Sequence, residues 1–263
     1  MSSRRSSRQS VQAAVKEGLL RVTLNRPEKH NALSREVLNT LREIFEAHAG
    51  DEALHAAVLS GAGDKSFAAG GDLRDLESIR SVEGAAEMAS RVKGALGAIR
   101  RFPVPVVAAL NGDAMGGGAE LALACDFRVV AAHARIGSVQ GRLNISTAWG
   151  GGIDLMRRVG PSVALGLLCR SEMLAAPEAL AIGLVDAAAE PGTALEDCLA
   201  AFLAPLLKQT PQVLRAFKAL ALAVRTGLSR GELDDLETRM FAATWVHDDH
   251  WRAAEKILAR KGA

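Results

Sequence analysis

The sequence has no marked excess of charge of either sign and no long apolar run. Its 263 residues carry a formal net charge of +2, so composition predicts neither a nucleic-acid-binding surface nor a charged membrane-binding surface. No apolar stretch reaches the roughly 18–20 residues that a membrane-spanning helix requires. We therefore expect no nucleic acid and no membrane among the partners of this protein.

Cysteine is also scarce. The three cysteines, Cys125, Cys169 and Cys198, are odd in number and widely spaced. This pattern excludes a disulfide framework and favours buried free thiols in a reducing compartment. We therefore expect the protein to be cytoplasmic.

Familiar nucleotide and metal motifs are missing as well. Gly61–Ser66 reads GAGDKS, which lacks the Gly-Lys-Ser/Thr order of a phosphate loop and is better interpreted as a turn after a strand. No Gly-x-Gly-x-x-Gly follows the first predicted strand, so a dinucleotide site is excluded. His247 and His250 flank two acidic residues, but no third ligand is evident and we predict no metal.

Strand and helix patterns alternate through the first two thirds of the chain. Apolar residues recur with strand character in four segments: Leu19–Asn25, Ala56–Ser60, Val104–Leu110 and Phe127–Ala131. Helical spacing follows Ser34, a predicted N-cap, and returns over 82–100. Strands separated by helices predict an α/β fold with largely parallel pairing. The first strand, which runs into Arg26-Pro27, is predicted at a sheet edge.

After about residue 195 the pattern is helical only. We predict helices over Leu195–Leu207, Pro211–Thr226 and Leu233–His247. The expected organisation is a disordered tail over 1–13, an α/β core over 14–195 and a helical region over 196–263. A helical extension of this kind is typical of packing against a partner subunit.

Two glycine-rich turns are the strongest chemical signal. One is FAAGGDL at 67–73, and the other is the triplet Gly116-Gly117-Gly118 ahead of a predicted helix. A helix that begins at the triplet presents free N–H groups and the positive end of its dipole. Two such N–H groups that converge on one carbonyl oxygen would form an oxyanion hole, which indicates an enzyme. Close packing of helix on sheet would explain the same glycines, and spacing alone leaves both interpretations open.

Several segments taken together resemble the enoyl-CoA hydratase/isomerase, or crotonase, family. The likeness covers the chain from about residue 14 and is carried by LNRPEKHNAL (24–33), FAAGGDL (67–73), VPVVAALNGDAMGGGAELALACDFRVV (104–130), WGGGIDLMRRVG (149–160) and LAAPEALAIGLVDAAAE (174–190). The resemblance implies a core of repeated ββα units in a spiral, with a helical C-terminal trimerisation region. It also implies a homotrimer or a hexamer of two trimers.

The same resemblance implies an acyl-CoA thioester substrate and a set of site residues. Coenzyme A enters as part of the substrate, and no other cofactor is expected. Gly71 and Gly117 would donate the two oxyanion N–H groups, and the basic stretch 256–261 would reach CoA. The implied substrate- and CoA-binding residues are Arg26, Lys29, Ala69, Gly71, Asp72, Leu73 and Gly117.

The catalytic pair that the family implies is incomplete. Hydratases of this family use two glutamates; the first matches Glu120, but Gln140 stands where the second would fall. A glutamine side chain cannot exchange a proton at a useful pKa. Glu120 would therefore be the single acid/base and Gln140 would orient a ligand.

Three functions remain open on these residues. The first is a lyase of enoyl-CoA hydratase type, in which Gln140 positions water. The second is a decarboxylase of a methyl- or ethylmalonyl-CoA, in which Gln140 and Arg142 face the leaving carboxylate; the Trp149-Gly150-Gly151 run resembles that branch of the family. The third is a non-catalytic acyl-CoA-binding homologue.

Overall fold

The first strand begins earlier in the sequence than expected. The computed structural model describes the backbone of residues 9–261 and the side chains of residues 9–259, so most of the expected tail lies outside the described residues. Strand β1 (Val11–Lys16) nevertheless starts inside the segment 1–13. It pairs antiparallel with β2 (Leu19–Leu24), from Val11 opposite Leu24 to Lys16 opposite Leu19. This ladder satisfies backbone groups that a tail would leave to water.

The other strands follow in chain order. They are β3 (Ala56–Gly61), β4 (Ser66–Ala68), β5 (Val106–Leu110), β6 (Asp113–Met115), β7 (Phe127–Val130), β8 (Arg135–Gly137), β9 (Leu174–Ala175) and β10 (Ala187–Ala188). The larger sheet has the order β1-β2-β3-β5-β7-β10, and the smaller has the order β4-β6-β8-β9. Only the pairs β1-β2 and β8-β9 are antiparallel among the described strands. The prediction of largely parallel pairing is confirmed.

The predicted edge position of the first pattern is wrong. The segment is β2, which lies between β1 on one side and β3 on the other. The edge belongs to β1, whose residues after Val11 are all exposed. The predicted alternation in β2 is confirmed, because Leu20, Val22 and Leu24 are buried. Alternation indicates that one face of a strand is buried, but it does not tell how many neighbouring strands pair with it.

Helices connect the strands and then continue alone. They are α1 (Arg35–His48), α2 (Leu73–Leu76), α3 (Val82–Arg100), α4 (Gly117–Ala124), α5 (Gly151–Val159), α6 (Pro161–Arg170), α7 (Ala176–Ala181), α8 (Leu195–Leu207), α9 (Pro211–Thr226), α10 (Arg230–Trp245) and α11 (Asp248–Lys261). The predicted N-cap is confirmed, because the Ser34 hydroxyl accepts the Val37 N–H at 3.3 Å. The α/β class is therefore as expected.

The smaller sheet brings the two glycine turns together. Strands β4 and β6 are parallel neighbours, with Ser66 opposite Asp113 and Ala68 opposite Ala114. Each glycine turn directly follows one of these strands, so both turns lie at the same edge of the sheet, where the carboxyl ends meet. Helix α4 starts at this edge and buries all eight of its residues. The helix is therefore fixed in the core with its N-terminus at the site.

The C-terminal region packs on the core through its first two helices. In α8, Leu199 and Leu203 cover Val58, Val107 and Val129 on the larger sheet. Helix α9 is attached through Lys218, which is buried and pairs with Asp126 at the end of α4. No strand follows β10 in the part of the chain that the structure describes.

The last helices differ in their bounds from the prediction. Helix α10 begins at Arg230 rather than Leu233, because Ser229 and Glu232 form a capping box. It ends at Trp245, and α11 follows with separate bounds. None of the residues of α10 is buried. Among the described helices, none combines the length and apolar character needed to cross a bilayer.

Candidate active site

The two glycine turns present free backbone donors beside each other. Leu33 N–H donates to Gly70 O at 2.8 Å and Asp72 N–H donates to Leu33 O at 3.1 Å, so the intervening Gly71 N–H faces away from that strand-like bridge. Gly117 is the first residue of α4, where an N–H has no acceptor within the helix. Within residues 9–261 neither N–H donates to a protein acceptor. This pair can bind one developing negative charge.

Each glycine of the triplet has its own structural reason. Gly116 has φ +56°, a conformation that side chains rarely adopt. A Cβ on Gly117 would overlap the indole ring of Trp149, and a Cβ on Gly118 would overlap the backbone carbonyl of Ala68. Close packing of helix on sheet therefore explains Gly118, whereas Gly117 makes room for a side chain at the site. Close packing is therefore confirmed for the triplet, and the oxyanion interpretation stays a prediction.

Glu120 lies behind the oxyanion pair with both carboxylate oxygens engaged. Its side chain is buried. Oε1 accepts the backbone N–H groups of Trp149 at 2.9 Å and Gly151 at 3.0 Å, and Oε2 accepts Nε2 of Gln140 at 3.0 Å. Burial raises the pKa of Glu120 above its ordinary value, and the three N–H donors oppose that rise. The carboxyl is therefore held in one orientation with a proton affinity higher than that of an exposed glutamate.

Gln140 presents an acceptor to the site. Its Nε2 is used by Glu120, which leaves Oε1 buried without a hydrogen-bond partner among the described residues. A carboxylate requires a donor, so the Glu120 contact determines which way the amide points. A buried carbonyl oxygen without a donor is unfavourable by roughly 1–3 kcal/mol. A water or ligand hydroxyl that donates to Oε1 would remove that penalty.

Trp149 connects these parts, and the sequence interpretation missed its role. Its N–H holds Glu120, and its carbonyl accepts Nη2 of Arg100 at 3.1 Å. Its indole ring lies against both Gly71 and Gly117. One residue therefore contacts Glu120, Gly71 and Gly117.

A signal for this residue exists in the glycines that follow it. Gly150 has φ +94°, and a Cβ on Gly151 would overlap the side chain of Glu120. A glycine run directly after a tryptophan thus marks a close approach of backbone to Glu120. What the run approaches could not be read from the sequence, because Glu120 lies in a different helix.

An elongated cavity of about 290 Å³ opens beside Trp149. Its apolar wall is formed by Leu38, Leu76, Ile79, Met88, Val92 and Trp149. Arg35, Glu87 and Arg91 add charged groups to the same lining. A small number of charged groups around an apolar wall suits a ligand that is apolar at one end and polar at the other.

Arg26 makes two contacts within the protein. Its Nη2 pairs with Asp72 at 2.9 Å and its Nη1 donates to the carbonyl of Ala32 at 2.7 Å. The Arg26 guanidinium holds the pKa of Asp72 below its usual range. Both groups are largely buried and paired with each other, so Arg26 braces the turn that carries Gly71. Its contact with CoA stays a prediction.

The other implied binding residues lie on the same turns. Lys29 is exposed at the end of a short 3-10 turn, Pro27–Lys29. Ala69 N–H donates to His30 O at 3.0 Å, and Leu73 is exposed at the start of α2. Contact of these residues with CoA stays a prediction. Lys256 is exposed on α11, and the side chains at 260 and 261 lie outside the described ones.

The structure defines the surroundings of three further residues, Arg142, Cys125 and Cys169. Arg142 donates through Nε and Nη2 to the carbonyl of Ser171, at 3.2 and 2.7 Å, which engages its guanidinium with backbone. Cys125 is buried, and burial raises the pKa of its thiol to about 12. Cys169 is exposed, so the prediction of buried thiols is wrong there: α6 buries only Ala164 and Leu167, and Cys169 lies on another face.

No group of three or more potential metal ligands exists within the described residues. His247 pairs with Asp249, and His250 stacks on Trp245 with ring centroids 4.6 Å apart. These histidines belong to the packing of α10 against α11.

Comparison with known proteins agrees with this geometry. The enoyl-CoA hydratase/isomerase family model matches residues 14–259. The chain is 38% identical over 180 residues to crotonyl-CoA hydratase of Syntrophomonas wolfei subsp. wolfei, which is 66% of this chain and 67% of that protein. It is also 38% identical over 182 residues to short-chain-enoyl-CoA hydratase of Clostridium acetobutylicum, which is 67% of each chain.

The fold is shared with solved structures. The crystal structure of an enoyl-CoA hydratase from Mycobacterium smegmatis matches with a TM-score of 0.89 and 27% identity, and covers 96% of this chain and 97% of that chain. Sequence and fold thus agree along nearly the whole length. The protein is an enzyme of the enoyl-CoA hydratase/isomerase family, with the α/β fold of the crotonases.

Proposed function

We propose that the protein is a lyase that adds water to trans-2-enoyl thioesters of CoA. Gly71 and Gly117 stabilise the enolate oxygen, Glu120 is the single acid/base, and Gln140 holds the water. The observation that carries this proposal is the Oε1 atom of Gln140, which has no hydrogen-bond partner among the described residues, while Nε2 of the same amide donates to Oε2 of Glu120 at 3.0 Å. An acceptor beside a carboxylate suits a water molecule, which can donate one hydrogen to each.

The chemistry balances with one carboxylate. The water oxygen forms a bond to the β-carbon while Glu120 takes one of its protons, and the C=C electrons move toward the thioester oxygen. The negative charge then lies between the N–H groups of Gly71 and Gly117, where one such donor is worth about 3 kcal/mol. Glu120 returns the proton to the α-carbon, which gives the 3-hydroxyacyl thioester and restores the carboxylate.

Two contacts weigh against a malonyl-type decarboxylase. A leaving carboxylate needs donors, yet one of the two N–H groups on Nε2 of Gln140 already donates to Glu120. Arg142, the cation proposed to face it, is engaged by Ser171. The buried Glu120 would also repel a second carboxylate at close range. A non-catalytic acyl-CoA-binding homologue would need neither Glu120 nor an oriented amide next to it.

Further features of the proposal concern binding and assembly. CoA arrives with the substrate, its nucleotide end near Lys29 and the stretch 256–261, and no other cofactor takes part. The exposed apolar side chains of α9, α10 and α11 support a homotrimer or a hexamer of two trimers. The free thiols favour a cytoplasmic location.

The test is a screen of CoA thioesters by mass spectrometry. We expect hydration of crotonyl-CoA and no CO2 release from methyl- or ethylmalonyl-CoA. Glu120→Gln lowers kcat by about 10²- to 10⁴-fold, as loss of a general acid/base does. Gln140→Leu lowers hydration, whereas the control Gln209→Leu, at an exposed position, leaves it unchanged.

Other outcomes would select the other functions. CO2 release without hydration would replace the proposed hydratase by the decarboxylase. A gain of hydration with loss of CO2 release in Gln140→Glu would further support the decarboxylase. Binding of CoA thioesters without any turnover, unaffected by Glu120→Gln, would leave the non-catalytic homologue.

A further inference from the structure

The indole of Trp149 forms a wall beside the oxyanion pair. Its Cη2 atom lies 2.7 Å from where a Cβ on Gly117 would be and 3.3 Å from where a Cβ on Gly71 would be. A single edge of the ring therefore touches both glycines. Leu76 closes the same side, 3.0 Å from the corresponding Cβ position on Gly71.

The backbone of Trp149 is held at both ends. Its N–H donates to the buried carboxylate of Glu120, and its carbonyl accepts from Arg100. Arg100 is itself paired with Asp154, with Nη2 and Oδ2 2.7 Å apart. The side chain is buried at 6% exposure. A residue held this way keeps its place, because movement would break its contacts to two charged side chains, Glu120 and Arg100.

This wall restricts what can follow a bound thioester carbonyl. An oxygen held about 2.7–3.1 Å from both N–H groups places its carbon, and then the α-carbon, next to the two glycines that the ring already touches. A planar conjugated enoyl group can lie along a flat ring. A substituent on the α-carbon needs the volume that the ring fills, and close-packed interiors leave no slack for it.

We propose that Trp149 is a specificity-determining residue that restricts the enzyme to thioesters without a substituent on the α-carbon. The acyl chain beyond the β-carbon then runs into the 290 Å³ cavity along Leu38, Met88 and Val92. This inference rests on the proposed oxyanion site at Gly71 and Gly117. It narrows the substrate class to linear trans-2-enoyl thioesters.

The experiment compares two thioesters that differ by one methyl group: crotonyl-CoA and its 2-methyl derivative, tiglyl-CoA. Binding by calorimetry and hydration by mass spectrometry are measured for the wild type, Trp149→Ala and Met88→Ala. The wild type prefers crotonyl-CoA by about 10- to 200-fold in kcat/KM, the range that one methyl group supplies in a tight pocket. Trp149→Ala reduces that preference at least about tenfold.

Met88→Ala is the matched control, because it enlarges the same cavity without touching either glycine. It changes the preference for chain length and leaves the methyl discrimination as in the wild type. If circular dichroism shows that Trp149→Ala does not fold, Trp149→Leu gives the same comparison with a smaller change in side-chain volume.

Failure of this inference and failure of the proposed function give different results. Equal binding of the two thioesters by the wild type, or an unchanged ratio in the folded Trp149 variants, would overturn the role of Trp149 while hydration of crotonyl-CoA continues. Absence of hydration with a binding preference that Trp149→Ala removes would overturn the hydratase and retain the specificity wall.

Discussion

At the scale of single residues, Glu120 is subject to two opposing effects. Desolvation raises its pKa, while N–H donors from Trp149, Gly151 and Gln140 lower it. The net direction is upward, which suits a group that must both take and return a proton near neutral pH. Gln140 contributes twice, because it stabilises the carboxylate with its nitrogen and offers its oxygen to a ligand.

The pH dependence of hydration follows from the direction of this shift. In the proposed mechanism Glu120 must be ionised to accept the proton of water, so kcat/KM is expected to fall as pH drops through its pKa. Because that pKa is raised, we expect the acidic limb at a higher pH than an exposed glutamate would give. In Gln140→Leu one donor to the carboxylate is lost, so the limb moves to still higher pH.

A pH–rate profile with crotonyl-CoA measures the acidic limb of the wild type and that of Gln140→Leu. The conservative Gln140→Asn, which keeps an amide but shortens its reach, serves as an intermediate. A limb that does not move in Gln140→Leu would contradict the contact between Gln140 and Glu120.

At the scale of elements, the start of α4 depends on three glycines with distinct roles. Gly118→Ala places a Cβ on the Ala68 carbonyl, so we expect a loss of about 3 kcal/mol in the free energy of unfolding. Gly116→Ala forces an alanine to positive φ at a cost of about 1–3 kcal/mol. Gly94→Ala, in the exposed middle of α3 with free space around it, is the control and stabilises by about 0.5–1 kcal/mol.

Urea unfolding followed by circular dichroism ranks the three variants. If Gly118→Ala were as stable as the wild type, α4 would not pack on β4 as closely as the structure has it.

A second element-scale feature is the turn after β4, which is braced by Arg26 and Asp72. We expect Arg26→Ala to lower the free energy of unfolding by about 1–3 kcal/mol at neutral pH, because it removes hydrogen bonds to a largely buried carboxylate and to the Ala32 carbonyl. It should also lower kcat, because Gly71 precedes Asp72. Arg135→Ala, at an exposed ion pair with Asp113, is the matched control and has the smaller effect.

The stabilisation from Asp72 has a defined pH window. Its folded pKa is lowered, so the contribution is present above the unfolded pKa and is lost as pH falls through the folded pKa. The difference in stability between wild type and Arg26→Ala should therefore shrink at acidic pH. A difference that stays constant down to low pH would mean that Arg26 acts only through the Ala32 carbonyl.

At the scale of the whole molecule, the C-terminal helices expose several large apolar side chains, a feature typical of an interaction surface. The exposed large side chains there include Phe217, Val224, Phe241, Trp245, Val246, Trp251, Ile257 and Leu258. Helix α10 buries none of its residues within the chain. A second copy of the chain would cover these side chains and stabilise helices α9, α10 and α11.

We expect light scattering after size exclusion to give a trimer or hexamer for the wild type. Replacing Phe241 on α10 and Val246 directly after it by serine should shift the mass to the monomer, because their apolar area drives association. Val82→Ser, an equally exposed position at the start of α3, should leave the mass unchanged. A monomeric wild type would show that the C-terminal helices are solvent-exposed in solution.

Local patterns in the sequence determined much of this molecule. Hydrophobic periodicity was sufficient for the α/β class, for α3 and for the bounds of α8 and α9, because periodicity depends on neighbours within one element. Glycine turns indicated an oxyanion hole, because a helix N-terminus exposes its N–H groups wherever it lies. The resemblance of segments implied Gly71 and Gly117 as its donors. Segment resemblance identified the family.

Only the tertiary structure decided which distant groups meet. It placed β1 at the sheet edge, paired Arg26 with Asp72, turned the Gln140 amide toward Glu120 and packed Trp149 against both Gly71 and Gly117. These contacts join segments far apart in the chain, where no periodicity or capping rule acts. Side-chain orientation within a packed core follows from what the neighbours leave unfilled, and that is known only when every element is in place.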